Sequence, residues 1–296
     1  MIKTHCQSES LTVSNPKYRE CLDMYLLREI ERDFGDGDLT TDASPVLEKS
    51  KAVVVAKESG IFAGEQEIKY LLGTLSAKFF KHDGDKLKKG EIILELKGKT
   101  SDLMKIERVV LNTIGRMSGI ATYAAKFVKL VKKANSHVLI TPTRKTLWGL
   151  IDKRACVVGG AGTHRLALDN AILIKHNHIK ASGMPIKDFL NGLKIPKNTS
   201  AEFLEVEVKN GKDALIATKF LESKKGIPCF VMFDNMKPKE ISKALSKIKT
   251  KKVLFEASGG INEKNLVKYA KTGVSVISIG SLTHSAPMLD VSMRIV

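Results

Sequence analysis

After Asn135 the chain repeats one pattern: a short apolar run of strand length, a polar turn, and in most cases an amphipathic helical stretch. The runs are Val138–Ile140, Ile172–Ile174, Phe203–Val206, Phe230–Phe233, Val253–Phe255 and Val276–Ile279. Lys237 to Ile248 and Asn262 to Thr272 are two of the helical stretches between and after them. Strands alternating with helices build βαβ units and a parallel sheet. So many repeats favour a β/α barrel over an open sheet. An eight-stranded barrel takes ~250 residues. The segment after Asn135 is far shorter, so the expected fold class is α/β with an irregular, incomplete β/α barrel.

The first part of the chain has a different rhythm. Ala52–Ala56 and Ile92–Leu96 read as strands, set off by the turn signals Glu58-Ser59-Gly60 and His82-Asp83-Gly84-Asp85. Strands joined by tight turns predict an N-terminal α+β domain. A helical pattern follows from about Ser101 to Lys133, with Leu111, Ile114, Met117 and Ile120 as core positions. This helix should link the two parts.

Composition narrows the class. Of the 49 basic residues, 40 are lysines scattered along amphipathic segments, which is the mark of a solvated face. The net charge of +17 therefore does not make the chain a nucleic-acid binder. No run of 18 apolar residues occurs, so no membrane association is expected, and Met1 to Ser10 lacks the apolar stretch of a signal peptide. Four cysteines, Cys6, Cys21, Cys156 and Cys229, lie far apart without metal-ligand spacing. Reduced thiols in a cytoplasmic protein are the expectation, with Cys156 and Cys229 in the core.

In a β/α barrel the functional groups gather where strands end and βα loops begin. Here those junctions read Thr143-Arg144-Lys145-Thr146, Lys175-His176-Asn177-His178, Glu205-Val206-Glu207, Asp234-Asn235, Ser258-Gly259-Gly260 and Gly280-Ser281. Arg144, Lys145, His164, Arg165 and Lys175 form a cationic set suited to a ligand with several negative charges; scattered surface charge is the alternative. Glu207 and Asp234, at successive strand ends, are oxygen donors of the kind that hold Mg²⁺ beside phosphates, or they simply neutralise nearby lysines. Glycines after the last two strands allow backbone N–H groups to approach a phosphate, although glycine also simply makes turns. Read from the residues alone, the chain is a barrel enzyme for a phosphorylated, polyanionic substrate.

The motifs also occur together in a known order. Asp33 to Asp42, Glu107-Arg108, Ser118-Gly119-Ile120-Ala121-Thr122, the TRKT segment at 143–146, Thr163-His164-Arg165-Leu166, Ala171 to Ile179, Glu205 to Val208, Asp234-Asn235-Met236, Glu256 to Ile261 and Gly280 to Ser285 resemble quinolinate phosphoribosyltransferase. The resemblance spans about residues 30 to 295. It implies an N-terminal domain with the linking helix over 1–120, a barrel over 121–284 and a tail over 285–296 that returns to the N-terminal domain. It also implies a homodimer with shared active sites, with further assembly into hexamers left open. Arg108 would be donated to the partner chain's site, while Arg144, His164, Arg165 and Lys175 would hold the quinolinate carboxylates. Lys145, Glu207 and Asp234 would serve phosphoribosyl pyrophosphate and its Mg²⁺. Ser258, Gly259, Gly260 and Gly280 would cradle the 5′-phosphate, with His284 nearby.

Four departures from the family pattern stand out: Pro142 for an acidic residue, Leu147-Trp148 for Thr-Pro, Ala161 within a glycine run, and His176 for aspartate. They bear on substrate preference more than on reaction class. The rival readings are a sister phosphoribosyltransferase of the same fold acting on another base, a Schiff-base aldolase using Lys175, and a nucleic-acid binder without a recognised motif.

Overall fold

The computed structural model describes residues 2–196 and 199–296. They divide into two units, neither of them contiguous in the chain. One joins Ser8–Ala125, Thr146–Gly160 and Leu282–Val296; the other joins the residues up to Gln7, Lys126–Lys145 and Ala161–Ser281.

Helix Thr100–Ala134 runs through both. Leu103, Ile106, Val110, Ile114, Met117, Ala121, Ala124, Phe127 and Val131 recur every three or four residues along it, and all are buried. That spacing makes one apolar stripe. The expected core positions Leu111 and Ile120 are buried as well.

In the first unit, strands β1 (Lys49–Ala56), β3 (Ser76–Phe79), β5 (Ile92–Lys99) and β12 (Val291–Ile295) form an antiparallel sheet in the order β12-β1-β5-β3. Short strands β2 (Gly60–Ile61) and β4 (Lys86–Leu87) pair separately. The last strand of the chain thus lies against the first, with Val53 opposite Arg294.

The segment Ser118 to Thr122 explains itself here. A side chain at Gly119 would collide with the Pro287 carbonyl, so only glycine admits the tail. Thr122 Oγ1 accepts from Ile61 N–H at 2.8 Å, and Ser118 Oγ accepts from Ala63 N–H at 3.1 Å. One helical turn therefore anchors both an early strand and the C-terminal segment.

The same unit contains a buried ion pair. Arg116 donates to Asp152 from Nε and Nη2 at 2.8 and 2.7 Å. Asp152 is fully buried and also accepts from the backbone N–H groups of Leu147 and Trp148. Those two positions depart from the family pattern, but their bonds are made through the backbone and are indifferent to the side chain. The Trp148 ring lies 5.4 Å from the Arg116 guanidinium, a cation–π contact.

In the second unit, strands β6 (Leu139–Thr141), β7 (Ile172–Ile174), β8 (Leu204–Val208), β9 (Cys229–Asp234), β10 (Val253–Ser258) and β11 (Val276–Ser278) form one parallel sheet ordered β6-β11-β10-β9-β8-β7. All six apolar runs are strands, and the intervening helices make this the incomplete barrel expected. Among the described residues β6 and β7 remain unpaired edges, so the sheet does not close. Leu139 and Thr141 bond towards β11, leaving the Ile140 carbonyl on the open edge, where it accepts from Gly162 N–H at 2.8 Å. The Ala161–Thr163 segment therefore lines the seam. Helix Leu266–Ala270 is shorter than the stretch from Asn262 to Thr272, because Asn262 and Asn265 turn their side chains onto the backbone N–H groups of Lys264 and Asn262. Such local bonds favour a turn over a helix.

Candidate active site

Strand register decides which residues meet. Asp234, Ser258, Ser278 and Thr141 stand in one row across β9, β10, β11 and β6. Ile174 pairs with Val206, so Lys175 and Glu207 follow as neighbours at the ends of β7 and β8. Arg144 and Lys145 lie just beyond Thr141, and Gly280 just beyond Ser278. The strand-end residues singled out from sequence thus share one end of the sheet.

Glycine is required at two of these positions. Gly259 has φ +90°, and a side chain there would run into Asn235. Gly260 has φ +63° with open space beside it. A turn of this kind, tight on one side and open on the other, leaves room for an anion against the backbone. Ser278 Oγ donates to Ser258 Oγ at 2.9 Å, while Ser281 Oγ is buried with no hydrogen-bond partner among the described residues. A buried hydroxyl without a partner is costly unless a ligand satisfies it.

The two carboxylates are half-buried and oriented. Glu207 Oε1 accepts from His176 N–H at 3.3 Å, and Asp234 Oδ1 accepts from Asn235 Nδ2 at 2.9 Å. Replacement of an aspartate by His176 leaves that backbone contact untouched. Two carboxylates on adjacent strand ends provide the hard oxygen donors that Mg²⁺ takes together with phosphate oxygens and water.

Arg144, Lys145 and Lys175 are exposed, whereas His164 and Arg165 are buried. Burial, and then the charge of Arg144, push the Arg165 guanidinium down from its ordinary range. Two like charges held this close are stabilised by an anion between them. Arg165 Nη1 also donates to the Ala171 carbonyl at 3.2 Å, which fixes its direction.

His164 meets two residues to which the strand ends gave no role. Its Nε2 is 3.5 Å from Glu205 and 3.3 Å from Glu256, both fully buried. Burial alone would lower His164, but the Glu256 carboxylate, followed by Glu205, outweighs it and brings the imidazolium up to about 9. Burial and Glu256 raise Glu205, while His164 keeps Glu256 ionised against the pull of burial. The signal was present in the sequence: glutamate inside an otherwise apolar strand is out of place unless it has a charged partner.

Arg108 and His284 belong to the other unit. The Arg108 side chain is 60% exposed on helix Thr100–Ala134, with Glu107 as an ion-pair neighbour at 3.8 Å. His284 ends a short helix, Ser281–His284, and is exposed.

An α/β enzyme with an incomplete β/α barrel and a cationic, glycine-rich rim is the class this fold and site define. The family model described as quinolinate phosphoribosyl transferase, C-terminal domain, matches residues 120–294, and that for the N-terminal domain matches 38–118. The chain belongs to the quinolinate phosphoribosyl transferase family.

Among curated relatives, a probable carboxylating nicotinate-nucleotide pyrophosphorylase of Methanocaldococcus jannaschii is 40% identical over 289 residues, covering 92% of this chain and 96% of the relative. The carboxylating nicotinate-nucleotide pyrophosphorylase of Rattus norvegicus is 34% identical, covering 87% of this chain and 84% of its own. The solved nicotinate-nucleotide pyrophosphorylase of Francisella tularensis superposes with a TM-score of 0.80 at 29% identity, over 94% of this chain and 96% of that one.

Proposed function

We propose that the chain transfers the phosphoribosyl group of phosphoribosyl pyrophosphate to the ring nitrogen of quinolinate, releasing pyrophosphate and carbon dioxide and forming nicotinate mononucleotide for NAD biosynthesis. The observation that carries this reading is a family match over both parts of the chain, joined to a cationic pair, Arg144 and Arg165, that calls for an anion.

The residues supply position and charge. Arg144, Arg165, His164 and Lys175 hold the two carboxylates of quinolinate and present its ring nitrogen to ribose C1. Lys145 and the turn at Ser258, Gly259, Gly260 and Gly280 hold the phosphate groups, with His284 as a further contact. The C1–O bond breaks with its electron pair passing to pyrophosphate, and the ring nitrogen forms the new bond to an oxocarbenium-like C1. The ring nitrogen is then positively charged, so the pair left on C2 by departing carbon dioxide is stabilised until that carbon takes a proton. No covalent bond to the protein is needed.

Glu207 and Asp234 would hold Mg²⁺, which when bound neutralises charge on the leaving pyrophosphate. Chelation is expected to abolish turnover, and Glu207→Gln with Asp234→Asn to raise the KM for phosphoribosyl pyrophosphate more than that for quinolinate. Full activity in excess chelator would rule the metal out. The defining assay combines quinolinate, phosphoribosyl pyrophosphate and Mg²⁺ and scores nicotinate mononucleotide, with nicotinate as the control acceptor.

The site is shared in a homodimer, with Arg108 reaching the partner's quinolinate site. Its exposed guanidinium supports this role, since a long charged side chain beside Val109 and Val110 otherwise only covers apolar surface. Mixing Arg108→Ala with Lys145→Ala, each nearly inactive alone, should place both defects in one site of each heterodimer and leave the other site intact. With random mixing about half the dimers are of this kind, so roughly a quarter of full activity should return. No recovery despite verified subunit exchange would exclude sharing. A cytoplasmic location agrees with four free thiols, and no described helix is long and apolar enough to cross a membrane.

A further inference from the structure

The residues that precede the family-matched region carry a buried histidine. His5 is fully buried; its ring stacks on Phe203 at 4.2 Å and 24°, and meets His164 edge-on at 4.9 Å. We propose that His5 is a positioning residue for the His164–Arg165 pair, and that the N-terminal segment clamps the loop carrying that pair against the open seam of the barrel.

Three observations converge on this. The first is a carboxylate bridge: Glu256 lies 3.7 Å from His5 Nε2 through one oxygen and 3.3 Å from His164 Nε2 through the other. Glu256 thus couples the two rings, and His5 limits the directions the carboxylate can take.

The second is hydrogen bonding at both ends of the loop. The His5 carbonyl accepts from Thr163 N–H at 2.6 Å, and Gln7 N–H donates to Thr163 Oγ1 at 3.2 Å. Gln7 and Asn170 exchange two side-chain hydrogen bonds, at 2.9 and 2.8 Å, and Asn170 in turn accepts from Leu166 N–H. A side chain at Gly162 would collide with the His5 carbonyl, so this close approach depends on glycine there.

The third is strain. His164 has φ +52°, one of only two positive values among the non-glycine residues described. A residue in that region holds its conformation only where its surroundings impose it. The contacts of His5 and Gln7 are such surroundings, one residue away.

This role rests on the proposed quinolinate site, and the test keeps the two apart. Steady-state constants for quinolinate and phosphoribosyl pyrophosphate are measured for the full chain, His5→Phe and His5→Gln, with melting temperatures and bound metal. His5→Phe keeps an aromatic ring against Phe203 and removes the nitrogen facing Glu256; His5→Gln returns a nitrogen donor. The expected result is a quinolinate KM raised about tenfold in His5→Phe, as for a weakened charge-assisted contact. The KM for phosphoribosyl pyrophosphate should not change, and His5→Gln should recover most of the loss.

An unchanged quinolinate KM in His5→Phe overturns the proposal. So does a uniform loss in both substrates that tracks the melting temperature, which would mean packing alone. His5, His164, Glu205 and Glu256 place ligand atoms within 4.8 Å of one another. Stoichiometric metal in the wild type that is lost with His5→Phe would therefore overturn positioning in favour of a metal centre. A wild type that makes no nicotinate mononucleotide would instead refute the quinolinate reading itself.

Discussion

Arg144→Ala is expected to raise the KM for quinolinate some tenfold to a hundredfold while leaving the melting temperature near that of the wild type. The magnitude is that of one charge-assisted hydrogen bond to a carboxylate, roughly 1.5–3 kcal/mol. Arg144 is exposed, so its loss removes no core packing. Arg165→Ala should cost at least as much in KM, because the buried guanidinium acts where water screens it less. It should also carry a small stability loss from the bond to the Ala171 carbonyl. Arg165→Lys keeps the charge without the planar fork and should fall between the two. Steady-state kinetics with quinolinate varied at saturating phosphoribosyl pyrophosphate decides the matter. Wild-type constants in both alanine variants would remove quinolinate from this end of the barrel.

The second large effect concerns stability. Asp152→Ala should destabilise the protein by about 3–5 kcal/mol, the cost of stranding a buried charge. Arg116 would lose both of its carboxylate contacts, and the N–H groups of Leu147 and Trp148 would lose their acceptor. The expected fall in melting temperature is on the order of 10 °C. Asp152→Ala combined with Arg116→Met should recover part of that loss, because no unpaired charge then remains. Calorimetry or a urea titration of the single and double variants separates the pair from the backbone contacts. A single-variant loss below about 1 kcal/mol would show that water reaches Arg116 freely.

Much of this architecture was legible in the sequence, and the exceptions share a physical reason. The six barrel strands were readable because each is a short, mainly apolar run with turn residues after it. The rim residues were readable because strand ends in such a fold converge, so position along the chain predicts position in space. The Arg116–Asp152 pair was not, since its members lie 36 residues apart and nothing local couples them. Glu205 and Glu256 were on view as parts of motifs, but only the folded chain brings both carboxylates to His164. His5 sits in a short polar segment with no periodicity. Only the open seam, which is a property of the closed-up chain, gives that segment something to fill.

The way the two units are threaded has a consequence for how the chain matures as it is made. Strand β1 emerges long before its partner β12, and Gly119 waits on Pro287 for the contact that requires it. The barrel unit in turn takes in the residues up to Gln7, which precede the whole of the other unit. The barrel unit cannot be completed until Ser281 has been made, nor the other unit until β12 has. Until then β1 presents an unpaired edge of the kind that recruits other strands. Folding domain by domain from the N-terminus, the common route for longer chains, is closed to this one.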